Sequence, residues 1–147
     1  MAYHAWHGGR SQEVYLKDCR LIEINQKGEH YVLANVNGEL HSRLIVHPLQ
    51  NIGIKNSVGL GSIATPPELQ NKGYASELIR GIIQILSEQR IEHIFLYSDL
   101  SPEFYARFEF QILPNQFQKQ ENSICMVRTQ SFDLLINNPK ICLLPYL

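Results

Sequence analysis

The sequence predicts an α/β (α+β) chain with a mixed, mostly antiparallel sheet around one central parallel βαβ unit. Three observations predict it. Residues 57–65, "SVGLGSIAT", read as a strand, residues 71–89 as an amphipathic helix, and residues 91–99, "IEHIFLYSD", as a second strand. Strand, helix and strand in that order make the two strands parallel, with a right-handed crossover. Ahead of them, "HYVLANV" (30–36) and "LHSRLIVHP" (40–48) flank Asn37-Gly38, the strongest short hairpin signal, so an antiparallel pair adjoins the parallel one.

The elements follow in order. "SQEVYLKDCRLIEI" (11–24) spaces Val14, Tyr15, Leu16, Cys19, Leu21 and Ile22 as a helix does, rather than alternating. After the hairpin, "NIGIKN" is a loop. In the 71–89 segment Ala75, Leu78, Ile79, Ile82, Ile83, Ile85 and Leu86 recur at three- and four-residue steps and make one broad apolar face. The 91–99 strand is apolar nearly throughout, as a strand buried on both faces is. Ser101-Pro102 then starts a short helix, "PEFYARFEF", with Ser as cap and Pro in the first turn. "SICMVRT" (123–129) and "SFDLLI" (131–136) complete the sheet.

At 147 residues the chain has the length of one domain, 1–147, and enough to bury a core. A net charge of −1 gives no electrostatic reason for a nucleic-acid or anionic-membrane partner. Cys19, Cys125 and Cys142 are odd in number and form no Cys-x-x-Cys, so reduced thiols in a cytoplasmic protein are expected. The start, "MAYHAWHGGR", lacks a signal-peptide core, and no apolar run reaches membrane-spanning length. His4 and His7 share a helical spacing but have no third ligand, so no metal is expected. The apolar tail "ICLLPYL" serves either a homodimer contact or docking on the chain's own core.

The turn between the first parallel strand and the helix is the part with chemistry. Gly59 and Gly61 alternate along the strand, which suggests close approach to its backbone. Thr65 ends the strand, and Pro66-Pro67 lack the N–H groups that further pairing would need. The chain then turns through Gln70, Asn71, Lys72 and Gly73 into a helix whose first N–H groups are unpaired and carry partial positive charge. A diphosphate fits such a place, and Gly73 lets it come close. A glycine kept for packing in an ordinary connector is the competing reading. The Walker ending and the three-glycine dinucleotide fingerprint are both missing, so a nucleotide-binding βαβ protein ranks last.

The spacing Thr65, Pro67, Gln70, Gly73, Ala75 resembles the signature of the GNAT superfamily of acyl-CoA-dependent N-acetyltransferases. "LYSDLSPEFYARFEF" (96–110) is similar to that family's fifth strand and Phe-Tyr helix, and the resemblance covers about residues 30–114. It implies a GNAT-like fold with splayed strands and acetyl-CoA as cosubstrate. It also implies roles: backbone groups of Ile63, Ala64 and Thr65 hold the pantetheine arm as an added strand would be held. N–H groups of Gln70, Asn71, Lys72, Gly73, Tyr74 and Ala75 hold the pyrophosphate, with Lys72 adding charge. An N–H near Ile63 polarises the thioester carbonyl, as in an oxyanion hole. A primary amine, on a small molecule or peptide, attacks directly in a ternary complex, and Tyr105 protonates the leaving thiolate. Tyr105 packing as core is the bland alternative. Ser98 and Asp99 either line the acyl cleft or cap the next helix. For the general base, Glu39, His47, Glu68, His93 and Asp99 all have the chemistry, and no spacing selects among them.

The sequence departs from the family pattern twice. About thirty residues precede "HYVLANV", enough for one helix where the family has a strand and one or two helices. The sheet edge there is then either exposed or covered by another chain. Glu109 stands where the family has glycine before Phe110, which bears on the turn that sets Tyr105. These departures keep a second function open: an acyl-CoA-binding or interaction module on the same fold without transfer activity.

Overall fold

A computed structural model of the chain describes residues 9–21, 27–50 and 52–141, and for 19–21 the backbone alone. The described elements are α1 (Gln12–Leu21), β1 (Glu29–Ala34), β2 (Leu40–Pro48), β3 (Ser57–Ala64), α2 (Tyr74–Glu88), β4 (His93–Ser98), α3 (Pro102–Ala106), β5 (Gln111–Ile112), β6 (Ile124–Arg128) and α4 (Phe132–Ile136). The strand order in the sheet is β1-β2-β3-β4-β6-β5. Backbone contacts divide the chain into two compact units.

The first unit runs to His47 and resumes over Gly61–Ile85. Its hairpin pairs β1 with β2 antiparallel, from Glu29↔Val46 to Leu33↔Ser42, with a register shift before Ala34↔Leu40. The connecting turn is longer than two residues. Asn35 organises it, its Oδ1 accepting the N–H groups of Asn37 and Glu39, while Gly38 takes a positive φ of 82°. Leu44, Ile45 and Val46 of β2 are buried, and so are Leu78, Ile79 and Ile82 of α2. Of the apolar face expected of that helix, Ile85 is exposed although it keeps the three-residue step from Ile82. In α1 the Ser11 hydroxyl accepts the Val14 N–H, and Tyr15 is buried while Val14 and Leu16 face solvent. Ile22 lies outside the described residues, as do the side chains of Cys19 and Leu21. Among the described residues β1 ends the sheet, with Val32 exposed.

The second unit comprises Pro48–Leu60 and the chain from Leu86 onward. Here β3 and β4 are parallel, from Ser57↔His93 to Leu60↔Leu96, the βαβ pairing expected from the sequence. The last four residues of β3, Gly61–Ala64, continue past that ladder. β6 runs antiparallel to β4 and to the two-residue β5. The core gathers Leu49, Ile52, Phe95, Leu113, Cys125, Val127 and Leu135. Gln118 secures the β5–β6 connection: its amide donates to the carbonyls of Leu113 and Cys125 and accepts the Cys125 N–H, at 2.7 to 2.9 Å. Cys125 is a buried free thiol, its pKa pushed up to about 11 by burial against a smaller opposing effect of the Tyr97 hydrogen bond. Cys142 lies outside the described residues.

Two expectations need correction in this unit. "SFDLLI" is not a strand: Phe132–Ile136 form a helix, with Leu135 in the core and Phe132 and Ile136 packed beside it. Those three sit at i, i+3 and i+4, a helical spacing that outweighs the segment's strand-like composition. The helix after β4 stops at Ala106 rather than reaching Phe110.

Candidate functional site

The first unit carries the turn that the sequence singles out. β3 does not stay regular to its end: Ser62 has φ 52°, a left-handed backbone within the strand. A non-glycine residue held there costs on the order of 1–3 kcal/mol, strain of the kind that collects at functional sites. This left-handed residue immediately precedes Ile63. Beyond it, Ser42 of β2 donates its hydroxyl to the Ala64 carbonyl at 3.2 Å and accepts the Thr65 hydroxyl at 3.1 Å. Gln70 donates its side-chain amide to the Thr65 carbonyl at 3.2 Å, so it braces the strand end and the turn from within.

Pro67–Leu69 form one 3-10 turn, and the exposed stretch Gln70–Gly73 leads into α2 with positive φ at Asn71 (61°) and Gly73 (87°). The first hydrogen bond of α2 joins the Glu77 N–H to the Gly73 carbonyl at 2.9 Å. The N–H groups of Tyr74, Ala75 and Ser76 therefore precede the helical ladder and have no partner within it. Tyr74 is held by its ring, 4.2 Å from the His41 ring of β2. Lys72 is exposed, with no ion-pair partner among the described residues.

The glycines differ in what holds them. A Cβ on Gly53 would fall 1.6 Å from the Lys140 carbonyl oxygen, and one on Gly28 would fall 2.3 Å from the Ile45 side chain. Those are packing glycines. A Cβ on Gly73 would meet nothing within 4 Å. Gly73 is thus required by its backbone angle and borders open space, as Gly38 of the hairpin turn does, so it is not a packing glycine.

The second unit carries Tyr105. Its ring is buried, edge-on to Phe104 at 4.9 Å and tilted against Phe110 at 6.1 Å. No described residue hydrogen-bonds its hydroxyl. Burial first, and the charge of Asp99 second, push its pKa up to about 12. The helix bearing it closes with the Phe110 N–H on the Tyr105 carbonyl and the Glu109 N–H on the Ala106 carbonyl. That pair of bonds is the Schellman motif, which places a left-handed residue at its C′ position, usually glycine. Here the residue is Glu109, with φ 66°. Arg128 of β6 holds it, donating to the Phe108 carbonyl and pairing with the Glu109 carboxylate at 2.5 Å. The turn that the missing glycine put in question is formed.

The other expected residues sort as follows. Ser98 is buried and donates its hydroxyl to the Leu100 carbonyl at 2.7 Å, a bond within the loop ahead of α3 and not a cap on that helix. Ser101 caps α3 through its carbonyl, with no side-chain bond. Asp99 is exposed and accepts a close hydrogen bond from the buried Ser123 hydroxyl. Glu39 pairs with Asn35 in the hairpin turn, Glu68 is exposed on the 3-10 turn, and His47 is fully buried. His93 is buried with Nδ1 2.9 Å from the Thr129 hydroxyl, its pKa lowered by burial. His4 and His7 lie outside the described residues; among the described ones no three His, Cys, Asp or Glu side chains group to hold a metal. No described helix is long and apolar enough to cross a membrane. Ser42, His41, Ser62 and Ser123 are the contributors that sequence reasoning missed, since none lies in a motif and their partners are set by folding.

A mixed, mostly antiparallel six-stranded sheet with one parallel βαβ crossover defines the α/β class of the chain. The sequence profile described as "Acetyltransferase (GNAT) family" matches residues 2–110, and the chain belongs to that family. None of the curated proteins matches its sequence. Among solved structures, it is similar to an acetyltransferase of the GNAT family from Staphylococcus aureus Mu50, at TM-score 0.60 and 19% identity over 86% of this chain and 84% of that one. It is also similar to a GNAT family N-acetyltransferase from Escherichia coli in complex with CoA, at TM-score 0.64 and 19% identity over 83% and 68% of the two chains. An N-acetylglutamate synthase from Neisseria gonorrhoeae, complexed with coenzyme A and L-arginine, shares the fold at TM-score 0.57 and 20% identity over 70% of this chain and 25% of its own.

Proposed function

We propose that the chain is an N-acetyltransferase that moves an acetyl group from acetyl-CoA to a primary amine by direct attack in a ternary complex. The observation that carries this reading is the turn 70–73. It is exposed, left-handed at Asn71 and Gly73, open where a side chain would stand, and continuous with the free N–H groups that start α2. Those are the requirements for seating a pyrophosphate on backbone alone. Family membership and the CoA-bound fold neighbour support the choice of CoA.

In this reading Ile63, Ala64 and Thr65 present the strand end to the pantetheine arm. The Ala64 and Thr65 carbonyls each accept one side-chain hydrogen bond, from Ser42 and Gln70, which fixes the strand end and leaves each a second lone pair. The N–H beside the left-handed Ser62 faces the thioester oxygen, and its fixed backbone supplies stabilisation without reorganisation. The amine nitrogen bonds to the carbonyl carbon, the C–S bond breaks, and the thiolate takes a proton from the Tyr105 hydroxyl. The raised pKa of Tyr105 keeps that proton in place throughout the neutral range.

The test is thermal stabilisation by CoA and by acetyl-CoA, followed by thiol release with a panel of primary amines. Stabilisation with amine-dependent thiol release is expected. Stabilisation without release over a broad panel points instead to a binding module, and no stabilisation by any CoA ester removes both readings.

A further inference from the structure

β3 loses its parallel neighbour before it ends. The ladder with β4 closes at Leu60↔Leu96, and Gly61–Ala64 run on beyond it with Ser62 at φ 52°. A strand end without its ladder, carrying a left-handed residue, needs support from elsewhere to keep one shape.

The support comes from β2. Ser42 is fully buried, and its hydroxyl donates to the Ala64 carbonyl at 3.2 Å and accepts the Thr65 hydroxyl at 3.1 Å. A buried hydroxyl has to be bonded, whereas alanine would fill nearly the same space without that demand. What the Ser42 side chain adds over alanine is therefore these two bonds. Other buried serines act differently. Ser57 and Ser98 donate to the carbonyls of Lys55 and Leu100, two residues away, and serve their own turns. Ser42 instead reaches 22 and 23 residues along the chain, to the last residue of β3 and the one after it. Gln70 completes the hold from the turn, its amide on the Thr65 carbonyl at 3.2 Å. Ser42, Ala64, Thr65 and Gln70 all belong to the first unit.

These bonds fix the direction in which the peptide groups of Ala64 and Thr65 point. A ligand held as an added strand gains fully from main-chain bonds only where that edge is already in place; otherwise part of the gain goes into ordering it. We infer that Ser42 is a positioning residue for the cosubstrate: from within β2 it holds the end of β3 in the form that takes the pantetheine arm, without touching the cosubstrate itself. The inference rests on the transferase reading above, and within it on the strand-end role of Ile63, Ala64 and Thr65. It divides the donor site in two. The turn 70–73 serves the nucleotide half of CoA, and Ser42 governs the pantetheine half alone.

The experiment uses the full chain and two probes, CoA and adenosine 3′-phosphate 5′-diphosphate, which is CoA without its pantetheine arm. Affinities are measured by calorimetry, and backbone amide exchange is followed with and without CoA. Wild type is expected to bind CoA more tightly than the nucleotide. Ser42→Ala should weaken CoA about fivefold and leave the nucleotide within about twofold, and CoA should then protect the amides of Ile63, Ala64 and Thr65 less. Thr65→Val, at a half-buried position, removes one of the two bonds and should weaken CoA about threefold, with Thr65→Ser restoring it. A brace that served stability alone would lower the melting temperature and leave the ratio of the two affinities unchanged. An unchanged ratio in Ser42→Ala overturns the inference. Where that variant folds too poorly for calorimetry, Thr65→Val against Thr65→Ser decides by the same ratio. Wild-type protein that binds neither probe fails the transferase reading itself, whereas wild-type protein that binds both equally fails the strand-end role; either result removes this inference.

Discussion

The turn at 70–73 and the Tyr105 helix are built by opposite means. The turn is exposed, and its shape comes from backbone angles at Asn71 and Gly73 with little side-chain support. The Tyr105 segment is held by buried aromatic contacts, a closing Schellman motif and Arg128. The difference matches two kinds of task. A polyanion is met by many weak N–H donors that need space, whereas a single proton donor must keep one position. Mutations should therefore act on binding in the first region and on turnover in the second.

The largest effect expected is at Tyr105. Tyr105→Phe keeps the ring packing and removes only the hydroxyl, so turnover should fall about 10²-fold with CoA affinity within about twofold. The same variant has a second readout. Tyr105 ionises near 10 when unfolded and at about 12 when folded, so between those values the unfolded chain binds fewer protons. The stabilising effect is complete below pH 10 and is lost as pH rises toward 12, by about 2–3 kcal/mol. Urea unfolding between those pH values should show a shallower alkaline loss in Tyr105→Phe. Unchanged turnover would take Tyr105 out of the mechanism, whatever the titration shows.

Next comes the contrast between the two glycine roles. Gly53→Ala drives a methyl group into the Lys140 backbone at a position with φ 84°, and should cost about 2–4 kcal/mol of stability. Gly73→Ala meets no atoms and carries only the conformational penalty of about 1 kcal/mol. Its main effect should instead be on the ligand, about a tenfold loss of CoA affinity by calorimetry. If Gly73→Ala lowers the melting temperature and leaves CoA affinity alone, the turn is a connector.

The same contrast explains what the sequence could and could not reveal. β2 was legible to the residue at 40–48 because Asn37-Gly38 marks a hairpin turn ahead of it, even though the turn proves longer than those two residues. The helix beginning at Tyr74 was legible from its stripe, though its expected start at Asn71 fell within the turn, where positive φ at Asn71 and Gly73 excludes helix. The turn could be read because glycine, asparagine and proline state backbone conformation locally. β5 could not, being two exposed residues without a pattern. Nor could the Ser123–Asp99 bond, whose members are 24 residues apart and meet only through tertiary structure. The left-handed angle at Ser62 could not be assigned to its residue, since serine itself gives no warning of it and Gly61 beside it marked the strand only in general.

The smallest effect tests whether side chains can stand in for a backbone preference. At Glu109 a glutamate occupies the left-handed closing position, where a non-glycine residue costs about 1 kcal/mol. Its ion pair with Arg128 offsets part of that, but the carboxylate is largely exposed, and such pairs contribute about 0–1 kcal/mol. Glu109→Gly should therefore be neutral to stabilising by up to about 1 kcal/mol, raising the melting temperature by about 2–4 °C at most, with turnover unchanged. A loss of stability greater than about 0.5 kcal/mol would show that the Arg128 pair outweighs the backbone preference. In that case Glu109→Gly should also slow turnover, because Tyr105 supplies the carbonyl that closes the same turn and would move with it.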